Sequence, residues 1–187
     1  MDLPKGLKCI IFDMDGTLAE FPIDYDAMRK DLKEKASEFG IKSDFRPLMP
    51  SIREEAARSG NPKLLSELFA IVDRYEIESV KSCSIIAPAM RLYEKSFELG
   101  LKVAVLTRNG RRMVDTFLKG HRIKTPTVIC SREDSALLKP HPDHLKPIES
   151  RFGFRKSEYL LIGHSEHDEQ LAKNTGIRFV NSRTLDG

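Results

Sequence analysis

Five short apolar runs punctuate the chain, and most end at a polar turn. Lys8–Phe12 reads Lys-Cys-Ile-Ile-Phe and stops at Asp13-Met14-Asp15. Leu101–Leu106 stops at Thr107-Arg108-Asn109-Gly110, Thr127–Cys130 is the third run, Tyr159–Ile162 stops at Gly163, and Ile177–Val180 is the fifth. Runs of this length bounded by turns predict parallel strands buried on both faces. Between them, apolar spacing predicts helices over 88–99, stopped by Gly100, and over 111–118. Two more are expected over 142–152, limited by Pro147, and over 168–174, stopped by Gly176. The alternation predicts an α/β fold built on a doubly wound parallel sheet.

Residues 21–86 break this rhythm. No strand pattern occurs there, and 24–39, 50–59 and 62–82 read as helices separated by Gly40 and Gly60-Asn61-Pro62. Leu64, Leu65, Leu68, Phe69 and Val72 form an apolar stripe, which predicts a small helical subdomain with its own core. The expected division is an α/β core over 1–18 and 88–187, with an inserted helical domain over 19–87. No internal repeat interrupts it.

Composition narrows the function. The chain is 187 residues long, 40% apolar and 32% charged, with a net charge of +3 and both signs interspersed. The largest basic cluster is Arg108, Arg111 and Arg112, too small for a nucleic-acid face. Cys9, Cys83 and Cys130 are odd in number and far apart, which argues against disulfides and structural zinc. No signal-peptide layout and no run of ~20 apolar residues occurs. The expectation is a soluble cytoplasmic protein with neither nucleic-acid nor membrane partners.

In an open α/β sheet, ligands sit beyond the carboxyl ends of the strands. The segments after these strands carry Asp13, Asp15, Thr107, Lys139 and Gly163–Asp168. A carboxylate can attack phosphorus, and a second carboxyl can protonate the leaving alkoxide and later activate water. Gly16 permits a sharp turn, which the Thr17 hydroxyl can fix. Taken alone, Asp-x-Asp-Gly-Thr also suits a loose calcium-type turn.

Four segments together resemble the haloacid dehalogenase superfamily over nearly the whole chain. They are Phe12-Asp13-Met14-Asp15-Gly16-Thr17-Leu18, Val105-Leu106-Thr107-Arg108-Asn109, Lys139-Pro140-His141-Pro142, and Leu161-Ile162-Gly163-His164-Ser165-Glu166-His167-Asp168. The resemblance implies a Rossmann-like core, with Asp13 as nucleophile and Asp15 as general acid/base. It implies that Thr107, with Arg108 and Asn109, holds phosphate, and that Lys139 offsets negative charge. Mg²⁺ would be bound by Asp13, Asp15 and Asp168. The helical insert corresponds to a cap, where basic residues such as Arg46, Arg53 or Lys81 could contact an anionic substrate, although most such residues are simply solvated. The Leu-Thr-Arg-Asn segment is similar to phosphoglycolate-phosphatase-like members.

One position departs from the pattern: the fourth segment has Gly163-His164, where the family usually has Gly-Asp supplying a magnesium ligand. Mg²⁺ could persist through Asp168 or Glu166. Alternatively, His164 could ligate Mn²⁺, Co²⁺, Ni²⁺ or Zn²⁺, a reading that the pairs His141/His144 and His164/His167 keep open. In a third reading, metal and catalysis are lost and the protein binds phosphate or a partner. The expected function is a metal-dependent phosphatase acting on a small phosphorylated metabolite. A phosphomutase or a silent binding protein is the alternative. Asp15 disfavours a dehalogenase, and no cap lysine marks a phosphonate hydrolase. Ending soon after the fifth strand would expose a sheet edge, so either a monomer or a homodimer is compatible.

Overall fold

Cys9–Phe12 forms β1, buried along its whole length as a doubly covered strand should be. The chain then makes the two-residue strand β2 (Ala19–Glu20) and three helices: α1 (Tyr25–Ser37), α2 (Leu48–Ser59) and α3 (Leu64–Ser79). A second two-residue strand, β3 (Ser84–Ile85), leads into α4 (Ala87–Glu98) and β4 (Lys102–Leu106). Next come α5 (Arg111–Gly120), β5 (Val128–Cys130), α6 (Lys146–Phe152), β6 (Tyr159–Gly163), α7 (Glu166–Thr175) and β7 (Arg178–Asn181). The computed structural model describes residues 3–185.

Five strands make one parallel sheet in the order β5-β4-β1-β6-β7. The chain therefore works outward from β1 to β5 on one side, then returns to lay β6 and β7 on the other. Helices cover the sheet. Ile11, Ala104, Leu106 and Leu161 share one core cluster with Ile148 of α6 and Leu171 of α7. Phe12 packs edge-on against Tyr93 of α4, at 5.3 Å between ring centres. Each such buried Leu, Ile or Phe side chain contributes about 1.5–3 kcal/mol relative to exposure. This is the predicted doubly wound parallel sheet flanked by helices.

The chain folds as two units, each packed mainly on itself. One contains the sheet and takes residues 3–21 and 83–185; the other is the helical segment Pro22–Ser82. Within the helical unit, Met28, Leu32, Ile52, Leu64, Leu68 and Val72 are buried, so the stripe read from the sequence lies in a core. α3 ends earlier than the 62–82 pattern suggests, because Val80–Ser82 tightens into a 3₁₀ turn.

Two local expectations change. The stretch 21–86 was expected to hold no strand, yet Ser84–Ile85 pairs antiparallel with Ala19–Glu20. Two-residue strands are too short to show an alternating pattern. The expected helix over 142–152 splits into a 3₁₀ turn, Pro142–Leu145, and α6. Pro147 stands in the first turn of α6, where a missing N–H forfeits no helical hydrogen bond.

Candidate active site

Strand register assembles the site. Phe12 lies beside Val105 on one flank and Ile162 on the other, so β4, β1 and β6 finish almost level. The next residues therefore emerge side by side at the point where strand order reverses. The Asp13 N–H donates to the Ile162 carbonyl at 2.9 Å, and the Thr107 N–H donates to the Cys130 carbonyl at 2.9 Å.

Lys139 reaches this row from the segment after β5. Its buried ammonium donates to Asp13 Oδ1 at 2.7 Å, to the Leu106 carbonyl at 2.9 Å and to Asp168 Oδ1 at 2.5 Å. An ammonium has three protons, and here each has an acceptor. Asp168 is fully buried, and its other oxygen accepts from the Ser165 N–H at 3.0 Å and the Ser165 hydroxyl at 2.6 Å. Ser165 in turn caps α7 by accepting from the Asp168 N–H, a reciprocal capping box. Gly163 makes this packing feasible: a Cβ there would stand 2.6 Å from the Asp168 side chain.

The two aspartates after β1 experience opposite fields. Burial alone would raise the pKa of Asp13, but the Lys139 charge, with the adjacent His164 ring and hydrogen bonds from Lys139 and the Met14 N–H, holds it at about 2. Asp15 is half-buried, and Lys139 contacts Asp13 and not Asp15. Burial, then the negative charge of Asp13, pushes its pKa up to about 6. A turn separates the two: the Leu18 N–H donates to the Met14 carbonyl at 2.8 Å, and Gly16 takes a φ of +70°, a conformation that favours glycine. The Phe21 N–H donates to Asp15 Oδ1 at 3.4 Å.

Asp13 Oδ2 faces away from Lys139. Its neighbours are the Thr17 hydroxyl at 3.3 Å and His164 Nδ1 at 3.5 Å, both long for hydrogen bonds. The His164 ring lies against Gly16, where a Cβ would come within 2.5 Å of Cε1 and Nε2. The adjacent Asp13 carboxylate raises the pKa of His164.

Thr107 is fully buried and donates its hydroxyl to Asn109 Oδ1 at 2.7 Å, while the Asn109 N–H donates back to the same hydroxyl oxygen at 3.2 Å. Arg108 is half-buried and pairs with His167 Nε2 at 3.2 Å, linking the segments after β4 and β6.

A sequence model of the haloacid dehalogenase-like hydrolases matches residues 10–182, spanning every element of this site. The chain belongs to the haloacid dehalogenase-like hydrolase family. It is 23% identical over 181 residues to pyrophosphatase PpaX of Halalkalibacterium halodurans, covering 92% of this chain and 81% of that protein. It is 24% identical over 183 residues to phosphoglycolate phosphatase of Yersinia pestis, covering 92% of this chain and 79% of the relative. Among solved structures, CbbY of Rhodobacter sphaeroides in complex with phosphate superposes with a TM-score of 0.68 at 19% identity, covering 92% of this chain and 84% of that one. At that identity the likeness concerns the fold.

Within this haloacid dehalogenase-like site, one group among the described residues could hold a metal ion: Asp13, His164 and Asp168, with donor atoms within 4.8 Å of one another. The donor chemistry fits a divalent cation, because Asp13 Oδ2 and His164 Nδ1 face each other with only long contacts. Glu166, a candidate substitute ligand, is exposed in the first turn of α7 and lies outside this group. The two His-x-x-His pairs do not converge on an ion. His141 is exposed beside Asp143, His167 meets Arg108, and His144 is buried. In the helical unit, Arg46 pairs with Asp26, Lys81 with Glu78, and Arg53 stacks over Phe69. No helix among the described residues is long and apolar enough to cross a membrane.

Two side chains carry more of the architecture than their place in the sequence suggests. Ser165 fixes Asp168, and the Ser-x-x-Asp spacing is a readable signal for it. His144, a candidate half of a metal pair, instead accepts the Lys139 N–H.

Proposed function

We propose that this chain is a divalent-cation-dependent phosphatase that hydrolyses a small phosphorylated metabolite through an aspartyl phosphate on Asp13. The observation that carries the reading is the split between two carboxyls one residue apart. Asp13 is held ionised, at about 2, and Asp15 is poised at about 6. Pairs of titratable groups pushed apart in this way suit a nucleophile and an acid/base partner.

In the first step, an oxygen of Asp13 forms a bond to phosphorus as the ester P–O bond breaks. Asp15, in its acid form, gives its proton to the departing alkoxide. In the second step, Asp15 as carboxylate takes a proton from water as that water attacks the phosphorus of the aspartyl phosphate. Asp13 and inorganic phosphate are released, and Asp15 is again protonated. Lys139 keeps Asp13 ionised and opposes the charge of the incoming phosphoryl group. Thr107, Arg108 and Asn109, at the end of β4, supply hydroxyl, guanidinium and amide groups to phosphate oxygens.

Asp13, Asp168 and Lys139 together carry one net negative charge, which repels a phosphate anion. A divalent cation held at Asp13 and His164, with the Asp15 carbonyl, would reverse that sign and polarise the phosphoryl oxygens. The helical unit Pro22–Ser82, inserted between the Asp13 and Thr107 segments, is assigned the role of a cap that selects the leaving group. The names of the relatives, a pyrophosphatase and a phosphoglycolate phosphatase, support a phosphomonoester or phosphoanhydride as substrate. Turnover of p-nitrophenyl phosphate across a series of divalent ions tests the reading. Asp13→Asn is expected to abolish it, and absence of turnover with every ion in folded protein would contradict it.

A further inference from the structure

We infer that His164 makes the cation centre beside Asp13 a transition-metal site, selecting Mn²⁺, Co²⁺ or Zn²⁺ over Mg²⁺ through imidazole coordination. The inference rests on the reading that this site uses a divalent cation, and it names the class of ion.

The geometry supports coordination better than a hydrogen bond. His164 Nδ1 is 3.5 Å from Asp13 Oδ2 and 3.4 Å from the Thr17 hydroxyl, beyond the ordinary N–H···O range. Two donors each ~2.1 Å from one ion stand about 3.0–3.4 Å apart, so this separation needs little adjustment to share a cation. Asp13 Oδ1 is already committed to Lys139 at 2.7 Å, which leaves Oδ2 as the coordinating oxygen.

The imidazole is also held in orientation. Its Nε2 and Cε1 lie over Gly16, within 2.5 Å of where a Cβ would be, while Nδ1 turns toward Asp13. Any side chain at residue 16 would displace the ring. Gly16 thus makes room for the imidazole as well as for its turn.

Asp168 supplies charge, with most of its acceptor capacity already taken. One of its oxygens faces the Lys139 ammonium at 2.5 Å, and the other takes both donors of Ser165. The least committed side-chain donors are the Asp13 Oδ2 oxygen and the His164 imidazole. Mg²⁺ strongly prefers oxygen ligands and is reluctant to shed water, whereas imidazole suits later ions such as Ni²⁺ and Zn²⁺, and the affinity of a mixed nitrogen and oxygen site rises from Mn²⁺ through Co²⁺. Every nitrogen- or oxygen-rich site favours later transition ions to some degree, so the discriminating quantity is how far selectivity depends on His164.

Full-length protein stripped of metal provides the test. Mn²⁺-loaded wild type is expected to show nitrogen coupling from one imidazole in pulsed EPR. The Co²⁺/Mg²⁺ affinity ratio, measured by Co²⁺ absorption and Mg²⁺ competition, should fall at least tenfold in His164→Asp. His164 is partly exposed, and circular dichroism checks that the variant stays folded. Absence of nitrogen coupling in the wild-type complex, absence of Mn²⁺ binding by folded protein, or an unchanged ratio in folded His164→Asp would overturn the inference. Nitrogen coupling without phosphatase turnover would leave the metal assignment standing and remove the catalytic reading. Mg²⁺-supported turnover without nitrogen coupling would do the reverse.

Discussion

The backbone N–H of Lys139 donates to His144 Nδ1 at 3.1 Å, and the far nitrogen of the same ring lies 3.4 Å from the Ser131 carbonyl. With Nδ1 as acceptor, the proton of the neutral ring sits on Nε2 and points at Ser131. His144 is fully buried and spans the excursion from the end of β5 to Lys139. It is a positioning residue: it touches no reacting atom but fixes the backbone from which the ammonium extends.

A pH dependence of stability follows. Burial, and secondarily the Lys139 charge, lowers the pKa of His144 from 6.5 to about 4. The unfolded chain therefore binds this proton before the folded one does as pH falls. The contribution is complete above about 6.5 and is lost as pH drops toward about 4, amounting to ~2 kcal/mol by pH 5. Urea unfolding at pH 7.5 and pH 5 measures it. His144→Leu should show less of this loss, and should be ~1–3 kcal/mol less stable at pH 7.5 because the buried Lys139 N–H loses its acceptor.

Lys139→Ala should affect both activity and stability. It leaves Asp13 and Asp168 buried without their cation, and removing one partner of such a network costs about 3–5 kcal/mol. Turnover should fall about 10²–10³-fold through loss of a preorganised charge. Chemical unfolding and steady-state kinetics on the same preparation check the two effects together.

Asp15→Asn should discriminate between leaving groups. An alkyl phosphate needs the proton of Asp15, and its kcat/KM should fall about 10²–10⁴-fold. The first step with p-nitrophenyl phosphate should change far less, since nitrophenolate departs unprotonated. The Asp15 pKa is raised to about 6, so its acid form predominates below that value. The first step with an alkyl phosphate should therefore weaken as pH rises through about 6. Single-turnover kinetics across pH, with both substrates, follow this.

Gly16→Ala should be destabilised twice, by its φ of +70° and by the His164 ring at the position of the new methyl. Removing the ring should relieve only the second effect. A double-mutant cycle with His164→Ala is expected to give a coupling of about 1 kcal/mol, read from urea midpoints.

Much of this could be read along the chain. The strands of the sheet were legible because each lies in a short, mainly apolar run; Asp13 and Thr107 stood out because each directly follows one, and Lys139 because Lys-Pro-His-Pro resembles a family segment. Parallel register then brings Asp13 and Thr107 together, with Phe12 between Val105 and Ile162, and Lys139 reaches them from the segment after β5. β2 and β3 were not legible, since two residues carry no period. The role of His144 was hidden for another reason. In Lys-Pro-His-Pro-Asp-His, two imidazoles look alike, and only tertiary packing buries one while leaving the other exposed. Asp168 was expected as a metal ligand from its place in the motif, and it does stand in the candidate metal group with Asp13 and His164. Its hydrogen bonds to Lys139 and Ser165 depend on the turn into α7.

The most direct test of the phosphatase reading is to identify the covalent intermediate. Wild-type protein quenched in acid during turnover of p-nitrophenyl phosphate, then digested and sequenced by mass spectrometry, should carry a phosphoryl group on Asp13. The label should vanish, with turnover, in Asp13→Asn. Full turnover in Asp13→Asn, or a phosphoryl group trapped on a residue other than Asp13, would contradict the account.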